Sequence, residues 1–315
     1  MNAAIVSAVR QKALVHATSI KNRGQLNAKF YYFTPDLKMV TNSTATLSDT
    51  SSTKYFTIAS DMIVFSPSQS HVLMIFRCPH NKTGSNTCAS NVLDQASFQY
   101  KGCLATPGGF FDANEDRRTD GNPDFKHSAT RELNEECSKL FDNENIKYTD
   151  IQFLSAEFNN YRDIRWFTST NYVPTLATQF TTKLIGPANH LPNVKGSDDA
   201  CGNAYWIDVR IVASVYAQYH KVFDAFDQVE TKFDEAKFDQ FVKTHFPLNP
   251  TTGLPRNKLR DENNLLKNVK PDQYVIDFDP SVDYHYSDFA FDHCHNIVKA
   301  QKKFAKKESK DCTIL

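Results

Sequence analysis

The stretch "TPGGFFDANEDRRTDGNPDFKHSATRELNEECS" runs from Thr106 to Ser138, and its two ends have different chemistry. At the first end, Pro107-Gly108-Gly109 is a tight turn whose glycines let the backbone come close to another group, because they carry no Cβ. At the other, Arg131-Glu132-Leu133-Asn134-Glu135-Glu136 sets three carboxylates within five residues. The apolar spacing predicts a helix over "HSATRELNEECSKLF" (127–141). On that helix Glu132, Glu135 and Glu136 stand at i, i+3 and i+4, on one face within about 100° of arc. Leu133, Cys137, Leu140 and Phe141 fall on the neighbouring face and can bury against a sheet.

Like charges placed side by side destabilise a bare helix. Arg131, four residues before Glu135, pairs with one of them and leaves net negative charge. A hard divalent cation supplies the remainder, since carboxylate oxygens are the ligands Mg²⁺ takes while it keeps waters and reaches phosphate oxygens. The plainer alternative is a solvated acidic face. The glycine turn and a fourth carboxylate, Glu115, favour the ion, because Gly108 and Gly109 can aim carbonyls or amides at it. Between the two ends, "RRTDGNPDFKH" (117–127) contains the turn signal Asp120-Gly121-Asn122-Pro123 and reads as a surface loop.

The rest of the chain sets bounds. Its 315 residues allow one large domain or two modest ones. Lys+Arg and Asp+Glu both number 36, which argues against a globally basic nucleic-acid binder. No apolar run approaches the length of a membrane span. Seven scattered cysteines without a C-x-x-C pattern predict free thiols and a cytoplasmic setting. Residues 1–35 carry five Lys/Arg and no acidic residue, the pattern of a basic N-terminal helix or of an organelle transit peptide. The final Cys312-Thr313-Ile314-Leu315 fits a prenylation box.

Strands are expected at "YFTIASDMIVF" (55–65), "HVLMIFR" (71–77), "IQFLSAEF" (151–158), "RWFTSTNYV" (165–173) and "NAYWIDV" (203–209). Helical spacing covers 212–246 and the C-terminal segment 286–307, with Pro247 to about Pro280 mostly loop. Interleaved strands and helices predict an α/β (α+β) class with no internal repeat.

The opening stretch resembles the box of the Nudix hydrolase family, G-x5-E-x7-R-E-U-x-E-E-x-G-U, where U is a bulky aliphatic residue. Gly109 and Glu115 match its start, and Arg131 to Glu136 match its core. Fifteen residues separate Glu115 from Arg131 instead of seven, Ser138 stands where the family has glycine, and Lys139 replaces the aliphatic residue. The resemblance implies an α-β-α sandwich around a mixed sheet. It places a domain at 54–310 behind an N-terminal extension (1–53), with insertions at about 116–127 and 213–283. It further implies Mg²⁺ (or Mn²⁺) held by Glu132, Glu135 and Glu136 with a Gly108 or Gly109 carbonyl, and Glu115 and Arg131 orienting those ligands. Asp198, Asp199 and Glu135 all stay open as the general base.

Outside the box, "FNNYRDIRWFTSTNYV" (158–173) is similar to a segment of ADP-ribose pyrophosphatases, although Asn159-Asn160-Tyr161 stands where relatives often have Asp-x-Pro. "KGSDDACGNAYWIDV" (195–209), with Ser197 inserted, and "FAFDHCHNIV" (289–298) resemble the Nudix half of bifunctional nicotinamide-mononucleotide adenylyltransferase/Nudix proteins. The adenylyltransferase half has no counterpart, since residues 1–53 are too short and lack H-x-G-H. The resemblance implies hydrolysis of ADP-ribose to AMP and ribose 5-phosphate, and a homodimer. Arg162 and Arg165 suit phosphate. Phe158 and Trp206 are candidates to stack on adenine, with the core as the alternative for Trp206. Asp198 and Asp199 suit ribose hydroxyls, or are turn carboxylates. His293 either touches the site or is a buried, hydrogen-bonded histidine. Two other functions stay open: a pyrophosphatase for NADH, NAD or capped RNA, and a non-catalytic module binding ADP-ribose or a NAD metabolite. The mixed charge of 213–280 speaks against DNA as a partner.

Overall fold

The computed structural model describes residues 2–19, 32–33, 39–40, 57–76, 104–140, 145–158, 175–197, 204–217, 273–284, 288–290 and 293–311, with Leu37, Asn143, His220 and Val269. Helix α1 (Asn2–Ser19) comes first, followed by a two-stranded antiparallel ribbon of β1 (Tyr32–Phe33) and β2 (Met39–Val40). The chain then enters its main sheet at β3 (Thr57–Phe65), whose side chains alternate between two hydrophobic cores. Ile58, Met62 and Val64 enter one core, and Ile63 and Phe65 the other, as a two-residue period dictates. β4 (His71–Phe76) behaves likewise, with Leu73 and Ile75 on one side and Val72 and Met74 on the other. A strand covered on both faces must be apolar on both, which is why "MIVF" and "VLMI" read as continuous runs.

The remaining strands are β5 (Leu104–Ala105), β6 (Gly108–Phe110), β7 (Lys147–Tyr148), β8 (Gln152–Phe158), β9 (Thr175–Ile185), β10 (Ala204–Asp208) and β11 (Val275–Ile276). Nine strands, β3 to β11, form one mixed sheet among the described residues, ordered β11-β10-β4-β3-β9-β7. β5 lies beside β4, β6 beside β3, and β8 beside β9. β3 runs parallel to β9 from Thr57↔Thr175 to Phe65↔Lys183, and antiparallel to β4 and β6.

Helices cover both faces. α1 and α2 (Phe125–Glu136) bury Ile5, Val6, Val9, Phe125, Ala129 and Leu133 on one side. On the other lie α3 (residues 209–217) and α4 (His293–Asp311), through Ile211, Val215, Ile297 and Phe304. The architecture is therefore an α+β sandwich, helix–sheet–helix, with a mixed sheet in the middle. Among the described residues no helix is long and apolar enough to cross a membrane. Cys137 and Cys294 are buried.

Several boundaries differ from the sequence reading. α2 starts at Phe125 rather than His127, because Asp124 caps it by accepting from the His127 N–H at 3.1 Å. It ends at Glu136, where Ser138 and Lys139 turn to φ 48° and 58°. β9, the longest strand, was not expected. Its Thr178, Gln179, Thr181 and Thr182 are buried, so it lacks an apolar signature. Ser60 with Thr178 (2.8 Å), Ser155 with Gln179 (2.8 Å) and Thr182 with the Thr149 carbonyl (2.7 Å) satisfy three of these polar groups. β11 lies in the stretch from Pro247 to about Pro280 read as mostly loop, and extends the sheet by parallel pairing with β10. The expected strand 165–173 falls outside the described residues.

Candidate active site

The site is built where β6 meets α2. β6 pairs antiparallel with β3, Asp61↔Gly108, Ser60↔Gly109 and Ala59↔Phe110, which sets the two glycines under the acidic face of the helix. Phe111, just after β6, packs on Phe125 at the start of α2 with ring centroids 5.5 Å apart, pinning strand to helix. The Gly108 N–H donates to Glu136 Oε2 at 2.8 Å, and Glu136 is buried. A Cβ on Gly109 would lie 2.2 Å from Glu132 Oε2, so only glycine leaves room for that carboxylate. Gly108 has its own constraint: a Cβ would lie 2.3 Å from Asp61 Oδ1 and 2.8 Å from the Ser60 carbonyl oxygen. Two of the three glutamates therefore converge on the glycine strand.

Arg131 ties the group together. Its Nε and Nη2 donate to Asp116 Oδ1 (3.1 Å) and Oδ2 (2.9 Å), its Nη1 donates to Glu135 Oε2 (2.9 Å), and Nη2 also reaches Glu132 Oε1 (2.9 Å) and the Phe110 carbonyl (3.1 Å). Burial alone would lower the guanidinium's pKa, but Asp116, Glu132 and Glu135 outweigh it and hold the charge more firmly than usual. Glu132, whose side chain is only 13% exposed, has the opposite balance. Burial pushes its carboxyl up to about 7 against the pull of Arg131, and the neighbouring Glu135 adds to the rise.

Asp116 was not anticipated. Glu115 matches the family spacing, yet its side chain is 63% exposed and lies 3.8 Å from Arg131 Nε, whereas Asp116 is fully buried and makes the two-pronged pair. The enlarged loop explains the one-residue exchange. The Asp112 N–H donates to Asp116 Oδ2, the Asp116 N–H to the Asp112 carbonyl, and the Asp124 N–H to the Asp116 carbonyl, at 2.7–2.8 Å. This folded loop turns Asp116 inward and Glu115 out. In the sequence the sole hint was that a second acid follows Glu115.

The other candidates separate. Trp206 is wholly buried and donates from Nε1 to the Pro192 carbonyl at 2.8 Å, so it is a core residue and presents no face to a nucleotide. His293 is buried at the start of α4, where Nδ1 accepts the Thr106 N–H at 2.9 Å and so supports the turn leading into Gly108. Phe158 ends β8, opposite Leu176. Arg162, Arg165, Asp198 and Asp199 lie outside the described residues.

A divalent cation fits this donor set. Glu132, Glu135 and Glu136 supply hard carboxylate oxygens from one helix face, and the missing Cβ of Gly109 gives the Glu132 carboxylate its place beside the strand. Glu135, 44% exposed, is turned toward Arg131. Among the described residues, the cluster whose three ligand atoms lie within 4.8 Å of one another is His71, Asp208 and Asp277, not the three glutamates. That cluster is an ion-pair network: Arg210 Nε and Nη2 occupy both Asp208 oxygens, and the Arg210 and Phe278 N–H groups add two more donors. Burial would raise the Asp208 carboxyl, but these donors and the Arg210 charge hold it below its ordinary value.

No family model matches the chain, and no curated protein does. Solved structures do. The Nudix domain of Shewanella oneidensis NrtR, complexed with ADP ribose, is 18% identical, with 50% of this chain and 75% of that one covered and a TM-score of 0.30. A bifunctional NMN adenylyltransferase/ADP ribose pyrophosphatase from Francisella tularensis is 19% identical over 49% of this chain, with a TM-score of 0.29; the match spans one third (33%) of its length. The MutT protein of Methanosarcina mazei Go1 is 15% identical over 56% of this chain and 96% of its own, with a TM-score of 0.31. Similarity at this level leaves activity and substrate to the residues themselves.

Proposed function

We propose that this chain is a divalent-metal-dependent Nudix hydrolase that splits the diphosphate of a nucleoside diphosphate linked to a second moiety, with ADP-ribose as substrate. The observation that carries the reading is the seating of Glu132 and Glu136 on the Gly108-Gly109 strand, one by steric room and the other by the Gly108 N–H. A solvated acidic helix face would bury neither carboxylate. Glu132, Glu135, Glu136 and a carbonyl of Gly108 or Gly109 would hold Mg²⁺ or Mn²⁺. When bound, the ion neutralises diphosphate charge and lowers the pKa of water.

The chain's own residues set the geometry. Arg131, anchored by Asp116, fixes the rotamers of Glu132 and Glu135, while β6 fixes Glu136. His293 holds the turn from Thr106 to Gly108 from the opposite side of the sheet. Support for ADP-ribose comes from the sequence similarity over 158–173 and 195–209, with Trp206 now assigned to the core. Arg162, Arg165 and Phe158 are the proposed substrate contacts, and Asp198, Asp199 or Glu135 the proposed base.

The test compares hydrolysis of ADP-ribose, NADH and capped RNA by the wild type and Glu136→Gln, with Mg²⁺. Release of AMP from ADP-ribose that falls at least a hundredfold in the variant supports the proposal. Preference for NADH or capped RNA would shift the substrate class, and nucleotide binding without turnover in either protein would leave a binding module.

A further inference from the structure

The end of α2 has an unusual hydrogen-bond arrangement. A helix leaves its last carbonyls without partners, and a common remedy is a left-handed residue at the first position past the cap. Its N–H and the next then bond back to carbonyls two and three places inside the helix. Here the cap is Cys137, Ser138 has φ 48°, and the Lys139 N–H donates to the Asn134 carbonyl at 2.7 Å, which is the outer bond of that motif. The inner bond would run from the Ser138 N–H to the Glu135 carbonyl. Instead the Ser138 N–H donates to Ser197 Oγ at 3.1 Å, and that hydroxyl donates to the Glu135 carbonyl. The Ser197 N–H also donates to the Glu136 carbonyl at 2.8 Å, and Ser138 Oγ donates to the Lys195 carbonyl at 2.7 Å.

A segment about sixty residues away is thus spliced into the terminus of the helix that carries the carboxylates. We propose that Ser197 is a positioning residue whose hydroxyl sets the orientation of the last turn of α2, and with it where Glu135 and Glu136 point. The inference rests on the metal-hydrolase reading of the site and adds a part to it. It also accounts for Ser138, where glycine would relieve the left-handed backbone but could not reach Lys195. A left-handed non-glycine residue is strained, and the bond from Ser138 Oγ to Lys195 offsets part of that strain.

Ser197→Ala removes one donor and one acceptor at a half-exposed position, so water can rescue both groups and the fold survives. Orientation is what is lost. For Ser197→Ala the expected result is a roughly tenfold weaker Mn²⁺ affinity, by titration calorimetry, and a kcat lowered to a similar degree, the range seen when groups behind metal ligands are removed. KM for ADP-ribose stays within about twofold and Tm within a few degrees. Ser197→Thr, which keeps the hydroxyl, restores both quantities. Wild-type Mn²⁺ affinity and kcat in Ser197→Ala, with only Tm lowered, would overturn the inference while Glu136→Gln, inactive in the same assays, leaves the hydrolase reading standing. A wild type that neither binds Mn²⁺ nor hydrolyses any of the nucleotides would sink both.

Discussion

Replacing Glu132 by Gln gives a prediction whose sign depends on whether metal is present. Burial raises the Glu132 carboxyl from 4.5 to about 7. The folded chain therefore binds this proton more tightly than the unfolded chain, and stability falls as pH rises from about 4.5 to about 7, then levels. At about 1.4 kcal/mol per pH unit, the charged form costs about 3 kcal/mol above that window. Glutamine carries no charge to desolvate. In EDTA at pH 8.5, urea unfolding followed by tryptophan fluorescence should find Glu132→Gln more stable than wild type, by up to about 3 kcal/mol. The gap should close as pH falls and vanish below about 4.5. Mg²⁺ should narrow the gap and, above roughly 200 times its Kd, invert the order, because only the wild type binds the ion tightly and gains stability by mass action. A Gln variant no more stable than wild type in EDTA at pH 8.5, or one stabilised by Mg²⁺ as strongly as the wild type, would refute the reasoning.

Other substitutions separate the parts of the site. Gly109→Ala puts a methyl group where Glu132 Oε2 lies, so the protein should stay folded by circular dichroism while Mg²⁺ affinity drops at least tenfold. Gly108→Ala meets backbone at 2.8 Å, which cannot give way, and should cost about 2 kcal/mol in urea unfolding. Asp116→Asn should destabilise by about 3 kcal/mol by leaving the buried Arg131 pair incomplete, whereas Glu115→Gln at the surface should shift stability by less than about 1 kcal/mol. Equal effects at the two positions would reject the exchange of roles. Trp206→Phe should cost about 2 kcal/mol through lost volume and the lost bond to Pro192, with KM for ADP-ribose unchanged; a raised KM would return Trp206 to the site.

What could be read from sequence alone was short-range. β3 and β4 announce themselves as apolar runs, and the spacing of Glu132, Glu135 and Glu136 puts them on one helical face whatever surrounds them. The glycine pair beside them is equally local. A two-residue or 3.6-residue period is a property of the backbone itself, so these features survive without knowledge of the partner. Tertiary structure decided the rest. β9 is a central strand because nine residues of β3 pair with it across more than a hundred positions, and its buried threonines show no apolar period. Asp116 rather than Glu115 meets Arg131 because a folded loop rotates one acid inward. Ser197 reaches α2, and Trp206 sinks into the core, only once β10 lies against β4. Each of these depends on which face of an element another part of the chain covers, and no local pattern encodes that choice.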